Sequence, residues 1–160
     1  MYRFIYEFVR KYLQFMYISL RPISNVDFEF IYQVTKAAMQ TYIEQTWESW
    51  VDDEQRVRTY NSIDLSMHQI IQLDGQDVGC LAVEHHSNHL QLTKLYLLPD
   101  FQRRGIGTLL IRQLIAEAKA LNAPLRLRVL AVNPARKLYE REGFSIQAQT
   151  IVHSYSPMNC

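Results

Sequence analysis

The chain has 160 residues, 48% of them hydrophobic, which is the size of one domain and enough to bury a core without metal or disulfide support. Lys and Arg total 17 against 16 for Asp and Glu, so the net charge of +1 gives no broad electrostatic ground for a nucleic-acid or membrane partner, and any anion site has to be local. Cys80, in an apolar run, and Cys160, at the end, form neither a metal-ligand pattern nor a disulfide framework. No metal is expected, Cys80 reads as a small core residue, and a reducing cytoplasm suits the composition.

Residues 1–15 are aromatic and apolar but carry Arg3, Glu7, Arg10 and Lys11, so they lack both a membrane-spanning length and the clean apolar centre of a signal peptide. They read either as a short amphipathic helix, with Phe4, Phe8, Lys11 and Phe15 at helical spacing, or as an appended or misassigned start before a domain covering 16–160. Met16 opens a first strand. Ser24 or Asn25 then caps a helix in which Phe28, Ile31, Val34, Ala38 and Tyr42 recur at helical spacing. A second helix over 50–62 opens on acids and carries basic residues later, as the helix dipole prefers. Residues 68–99 predict three strands, with Asp74-Gly75 as a hairpin turn, Ser87-Asn88 as a second reversal and Pro99 as the stop. A strongly apolar helix is expected from Arg103 to Leu121, then a strand over 125–132, a helix from Pro134 to about Glu142 stopped by Gly143, and two closing strands. This order implies an α+β layered domain whose mixed, mostly antiparallel sheet holds one parallel strand pair in the middle.

Between Pro99 and the apolar helix lies Gln102-Arg103-Arg104-Gly105-Ile106-Gly107-Thr108. Two glycines without Cβ let a pyrophosphate approach the main chain, a helix start offers unpaired N–H groups, and Thr108 can add a hydroxyl. By itself a G-x-G at a helix start is equally a tight strand-to-helix turn. The segment also lacks the Gly-Lys-Ser/Thr ending of a P-loop and the third glycine of a dinucleotide fingerprint.

The run Leu95-Tyr96-Leu97-Leu98-Pro99, followed by Phe101 to Leu110, resembles the acyl-CoA motif of the GCN5-related N-acetyltransferase (GNAT) family, and Val132 to Phe144 resembles that family's second signature. The resemblance is close over about residues 90–147; earlier elements agree in order and type. It implies two parallel strands that splay near Leu98 and Val132, helices on both faces of the sheet, and CoA in the gap. Main-chain groups of Leu97 and Leu98 would pair with the pantetheine arm, and the amides of Arg103, Arg104, Gly105, Ile106, Gly107 and Thr108 would take the pyrophosphate. The N–H near Leu97 would polarise the thioester carbonyl. Asn133 precedes Tyr139 by six positions, one fewer than in many members, so Asn133 reads either as a cofactor contact or as a helix cap.

Transfer from a thioester needs a neutral amine and gains from a proton donor to the leaving thiolate. The resemblance makes Tyr139 that donor; its alternative is a core aromatic. Gln91, Thr93, Leu95 and Leu97 supply no carboxylate at alternate strand positions, so Glu84 on the neighbouring strand is the first candidate base, ahead of His153 and Tyr155, and otherwise a solvated residue. His153 would border the acceptor pocket. Glu44 and Trp47, in a stretch of two tryptophans amid five carboxylates at 42–54, read either as a site for a cationic amine or as helix end and core. The expected activity is acetyl transfer from acetyl-CoA, as co-substrate, to a primary amine on a small molecule or peptide, with room for a homodimer. The competing reading is a non-catalytic acyl-CoA sensor, since shared architecture does not guarantee chemistry.

Overall fold

The computed structural model describes residues 16–47, 49–148 and 152–157, with residues 148 and 152–157 given as main chain only. The two readings of residues 1–15 lie outside these. In chain order come β1 (Ile18–Pro22), a 3-10 turn (Asn25–Asp27), α1 (Phe28–Thr46), α2 (Asp52–Ser62), β2 (His68–Leu73), β3 (Gln76–His85) and β4 (Leu90–Leu97). A second 3-10 turn (Pro99–Phe101) leads to α3 (Ile106–Ala120), β5 (Leu125–Leu130), α4 (Arg136–Arg141), β6 (Phe144–Ala148) and β7 (Val152–Pro157). The strands form one sheet in the order β1-β2-β3-β4-β5-β7-β6, antiparallel except for the β4–β5 pair. This is the α+β layout with one central parallel pair.

Helices cover both faces of the sheet. Leu90, Leu92, Leu97, Leu125 and Leu127 pack against Ile106, Leu110, Ile111 and Leu114 of α3 and Tyr139 of α4. On the other face Ile31 and Val34 of α1 pack with Ile70 and Cys80, and Tyr96 lies against them. Cys80 is fully buried, and that burial pushes its thiol up to about 12. The start of α1 is fixed electrostatically. Ser24 N and Oγ both donate to Asp27 Oδ2, at 2.8 and 3.1 Å, while Arg21 of β1 bridges Asp27 and Asp77. The Arg21 guanidinium is the main reason the Asp27 carboxyl falls to about 2. α2 is held to α1 by Lys36–Asp52 and Arg56–Glu29 ion pairs and by the buried Trp50, whose indole N–H donates to Asp52 Oδ1 at 3.1 Å.

Two departures from strict alternation shape β4. Ala82 lies opposite Lys94 and Val83 opposite Leu92, so Thr93 is an extra residue, and its Oγ1 donates to Ala82 O at 3.1 Å. A bulge shifts the phase of every side chain after it. Leu90 and Leu92 face α3, and beyond the bulge Leu95 and Leu97 do so too, which turns Lys94 and Tyr96 toward α1 and α2. Gln91, Thr93, Leu95 and Leu97 therefore do not share one face, as uninterrupted alternation would require. The second departure is Gly79 of β3, where a Cβ would meet the Tyr96 carbonyl oxygen at 2.2 Å. Glycine lets β4 lie that close.

Candidate active site

The parallel pairing is short. Leu90, Gln91 and Leu92 lie opposite Leu125, Arg126 and Leu127; past that point β4 stays with β3 as far as Leu97, while β5 stays with β7 as far as Leu130. The two strands thus part, and between them opens a cleft of about 910 Å³, with Thr93–Leu97 and Arg128–Leu130 along its sides and Ala38, Thr41 and Tyr42 of α1 over it. Leu98 N–H turns back to Val78 O at 2.9 Å, and Leu98 O accepts from Phe101 N at 2.9 Å. Both main-chain groups of Leu98 are therefore already engaged inside the protein. Because successive peptide groups in a strand point to opposite sides, those of Leu97 face the cleft, where Leu97 O accepts from Gln102 Nε2 at 2.9 Å and its N–H is directed outward.

At the next step of the chain Arg103 (φ 60°) and Gly105 (φ 84°) both adopt left-handed conformations. These end any helix that might run from Arg103, so α3 starts at Ile106, three residues later than its apolar pattern suggests. The first helical bond near this end is Leu109 N to Gly105 O, 3.0 Å. The N–H groups of Ile106, Gly107 and Thr108 precede it and have no carbonyl one turn back. They and the positive end of the dipole make a place for an anion. A Cβ at Gly105 would meet no neighbouring atom within 4 Å, so it is the left-handed backbone angle that calls for glycine there, and the space in front of it is open. Arg103, Gly107, Thr108, Lys137 and Arg141 line this end, and Arg141 Nη2 reaches Thr108 Oγ1 at 3.4 Å. Arg104 is elsewhere, with its guanidinium carbon 5.2 Å from the centre of the Phe101 ring. Ile106 has its side chain in the core and only its amide at the turn.

Tyr139 of α4 lines the cleft, is buried and meets Phe144 edge-on, with ring centres 6.1 Å apart. Burial pushes its phenol up to about 12, so it holds its proton throughout the neutral range. Asn133 also borders the cleft, but its Oδ1 accepts from Ala135 N at 2.9 Å, the geometry of a residue that starts a helix.

The expected base and acceptor residues fare differently. Glu84 does not line the cleft: it lies opposite Gln91, beside the stretch where β4 and β5 are still joined, and its Oε2 is 2.8 Å from His86 Nε2. Glu44 is exposed and accepts from Gln40 Nε2 at 3.0 Å; Trp47, 53% exposed, follows α1, and neither lines the cleft. The second tryptophan of that stretch, Trp50, is core. His153 takes its place on β7 opposite Val129, and Tyr155 opposite Leu127; their side chains lie outside the described part.

Sequence reasoning missed Lys94. It lines the cleft on the α1–α2 side, donates to Ser62 Oγ at 2.7 Å and lies 3.2 Å from His68 Nε2. His68 is buried, and its Nδ1 lies 3.0 Å from Asp64 O and 3.2 Å from Asp64 N, while its Nε2 faces the Lys94 ammonium, which has only protons to donate. Burial lowers the affinity of both Lys94 and His68 for a proton, and the Lys94 charge lowers that of His68 further. The signal that would have found Lys94 is the phase shift at Thr93, which no sequence period carries.

A model of the acetyltransferase (GNAT) domain matches residues 65–146, just over half of the chain, from β2 into β6, which includes all of the cleft lining except that of α1. Among curated proteins none matches in sequence. Among solved structures the fold recurs in the PaiA N-acetyltransferase of Thermoplasma acidophilum in complex with coenzyme A, 20% identical, with 90% of this chain and 100% of that one covered and a TM-score of 0.68. It recurs in the PH1933 protein of Pyrococcus horikoshii, 16% identical over 90% of this chain and 99% of that one, TM-score 0.70. A third is Naa50 of Arabidopsis thaliana in complex with the bisubstrate analogue CoA-Ac-MVNAL, 15% identical over 89% and 99%, TM-score 0.62. With the splayed parallel pair, the free amides of the turn and the family match over this same region, the chain belongs to the GNAT acetyltransferase family.

Proposed function

We propose that this protein is an N-acetyltransferase that carries an acetyl group from acetyl-CoA directly to a primary amine on a small molecule or peptide. The observation that supports it most is the parting of β4 from β5. It leaves an unpaired strand edge at Leu97 that runs into the free amides of α3, with a buried, protonated phenol on the opposite wall.

Acetyl-CoA would supply the activated acyl carbon: a C–N bond forms to the amine, the C–S bond breaks, the amine gives up a proton to solvent, and the sulfur takes one. The Leu97 N–H serves as donor to the carbonyl oxygen as negative charge grows on it. Ile106, Gly107 and Thr108 amides, with Arg103, Lys137 and Arg141, hold the pyrophosphate end. Tyr139 gives its phenolic proton to the departing sulfur and regains one from water; at neutral pH it is fully charged with that proton. No Asp or Glu side chain lines the cleft among the described residues, so the amine's proton leaves through water rather than to a carboxylate in contact with it.

The test is release of free CoA from acetyl-CoA across a panel of amino acids, peptides, polyamines and aminoglycosides, with calorimetry of acetyl-CoA alone alongside. Micromolar binding with turnover of at least one amine supports the proposal. Tight binding without turnover of any amine turns the reading toward a sensor of acyl-CoA, and no binding heat sinks both.

A further inference from the structure

Among the described residues five charged side chains line the cleft, Lys94, Arg103, Arg128, Lys137 and Arg141, and all are cations. They fall into two groups. Arg103, Lys137 and Arg141 surround the start of α3, where Arg141 touches Thr108, and the phosphates of the co-substrate account for them. Lys94 and Arg128 do not belong there. Leu127 and Val129 pack with α3, so Arg128 between them points to the other face of the sheet, the face to which the Thr93 bulge turns Lys94. The two cations thus flank the opening between β4 and β5 on its α1–α2 side, beneath Ala38, Thr41 and Tyr42.

Among the described residues no carboxylate makes an ion pair with Lys94 or Arg128. Of the acids on the neighbouring helices, Asp52 pairs with Lys36, Glu29 with Arg56, and Glu44 accepts from Gln40; Asp53 and Glu54, at the start of α2, do not line the cleft. Lys94 is half-buried and satisfied only by neutral groups, Ser62 Oγ and His68 Nε2. A partly desolvated cation without a counter-charge is costly, and an anion entering from the cleft relieves that cost; a second cation adds to it. An exposed guanidinium offers a two-pronged grip suited to a carboxylate.

We infer that the acceptor is an amine that carries a side-chain carboxylate, held by Arg128 and Lys94, and that polycationic amines are excluded. This rests on the acetyltransferase reading and goes beyond it by naming the charge of the acceptor. Both a free acidic amino acid and a peptide with an acidic first residue have this chemistry.

The experiment measures kcat/KM for glutamate against glutamine, for peptide amides beginning Glu-Ala against Gln-Ala, and for spermidine, in wild type and in Arg128→Gln. The two glutamate arms separate the free amino acid from the peptide. At least a tenfold preference for one glutamate acceptor over its glutamine counterpart, with spermidine the poorest, is expected. In Arg128→Gln that preference should shrink to under threefold while the KM for acetyl-CoA is unchanged; Arg128 is exposed, so the variant folds. Equal rates for the glutamate and glutamine partners, a preference for spermidine, or a preference that survives Arg128→Gln would overturn the inference while leaving acetyl transfer standing. If no amine is turned over, the acetyltransferase reading fails, and NMR titration of the same acceptors onto CoA-saturated protein reads the charge preference directly; equal affinities overturn it.

Discussion

On its α3–α4 side the cleft presents main-chain amides at a helix start, with arginine and lysine around them; on its α1–α2 side it presents side chains of β4, β5 and α1, with Lys94 held from behind by Ser62 of α2 and His68 of β2. The first wall is local. Seven consecutive residues, Gln102 to Thr108, set its shape through two left-handed angles, and the ligand groups are N–H atoms that every residue but proline owns. The second wall is assembled at a distance: Ser62, His68 and Lys94 meet only because β2, β3 and β4 are adjacent and because one extra residue rotates β4. A wall of main chain suits a ligand that does not change, and a wall of side chains suits one that does. Each experiment below perturbs one wall and reads whether the other feels it.

The largest effect is expected between the walls, at Tyr139. Tyr139→Phe keeps the ring against Phe144 and removes only the hydroxyl. A positioned general acid is worth ~10²–10⁴-fold, so turnover should fall in that range while acetyl-CoA affinity and melting temperature hold. Because the phenol lies near 12, it stays protonated to beyond pH 10, and wild-type kcat should show no alkaline loss from this group below that pH. A drop of under about threefold would mean that water protonates the sulfur. Lost affinity would mean that Tyr139 matters for packing alone.

Gly105→Val probes the main-chain wall. Valine at φ 84° is strained by ~1–3 kcal/mol, and its side chain would occupy the space in front of the α3 amides, which no protein atom fills within 4 Å. Acetyl-CoA affinity measured by calorimetry should weaken tenfold or more in a variant that keeps its circular dichroism. The KM for the amine should change little, because the acceptor wall shares no residue with the turn. Unchanged CoA affinity would move the phosphate site elsewhere.

The unequal legibility of the two walls follows from their construction. The order of elements along the chain, both helices of the first half, the hairpin at Asp74-Gly75 and the Gln102–Thr108 turn could be read because periodicity, turn residues and glycine spacing are local signals. Glu84 was reached for because it follows an apolar run on the strand beside β4. The register instead puts it opposite Gln91, at the closed end of the parallel pair, and strand register is a tertiary fact. Glu44 and Trp47 looked like an acceptor site by composition. Yet α1 turns Ala38, Thr41 and Tyr42 to the cleft and leaves Glu44 in solvent. Lys94 was invisible for the opposite reason: a lone lysine in a strand carries no motif, and only the bulge at Thr93 gives it a role.

A third perturbation asks how firmly the acceptor wall is held. Arg21, Asp27 and Asp77 tie the start of α1 to β1 and β3. Asp27 falls from 3.8 to about 2 on folding, chiefly through Arg21, so its contribution is fully present above pH 3.8 and is lost as pH falls toward 2. At ~1.36 kcal/mol per pH unit this amounts to about 2 kcal/mol. Asp27→Asn should lower unfolding stability by that order at pH 7 and by much less at pH 2, read by urea denaturation at both. An equal loss at both pH values would assign the effect to the helix cap alone.

The smallest effect is expected at Glu44 and Trp47. Both lie off the cleft, Glu44 with its carboxylate toward Gln40 and Trp47 with 53% of its surface in solvent. Surface substitutions away from caps, cores and networks usually change stability by no more than ~0.5 kcal/mol. Glu44→Ala and Trp47→Ala should accordingly leave the KM of the amine and of acetyl-CoA within about twofold of wild type. A rise of tenfold or more in the amine KM alone would show that the end of α1 reaches the acceptor after all, closing over it when bound. That outcome would join Glu44 to the acceptor wall and bring a carboxylate to a cleft lined by cations, favouring an acceptor with charge of both signs.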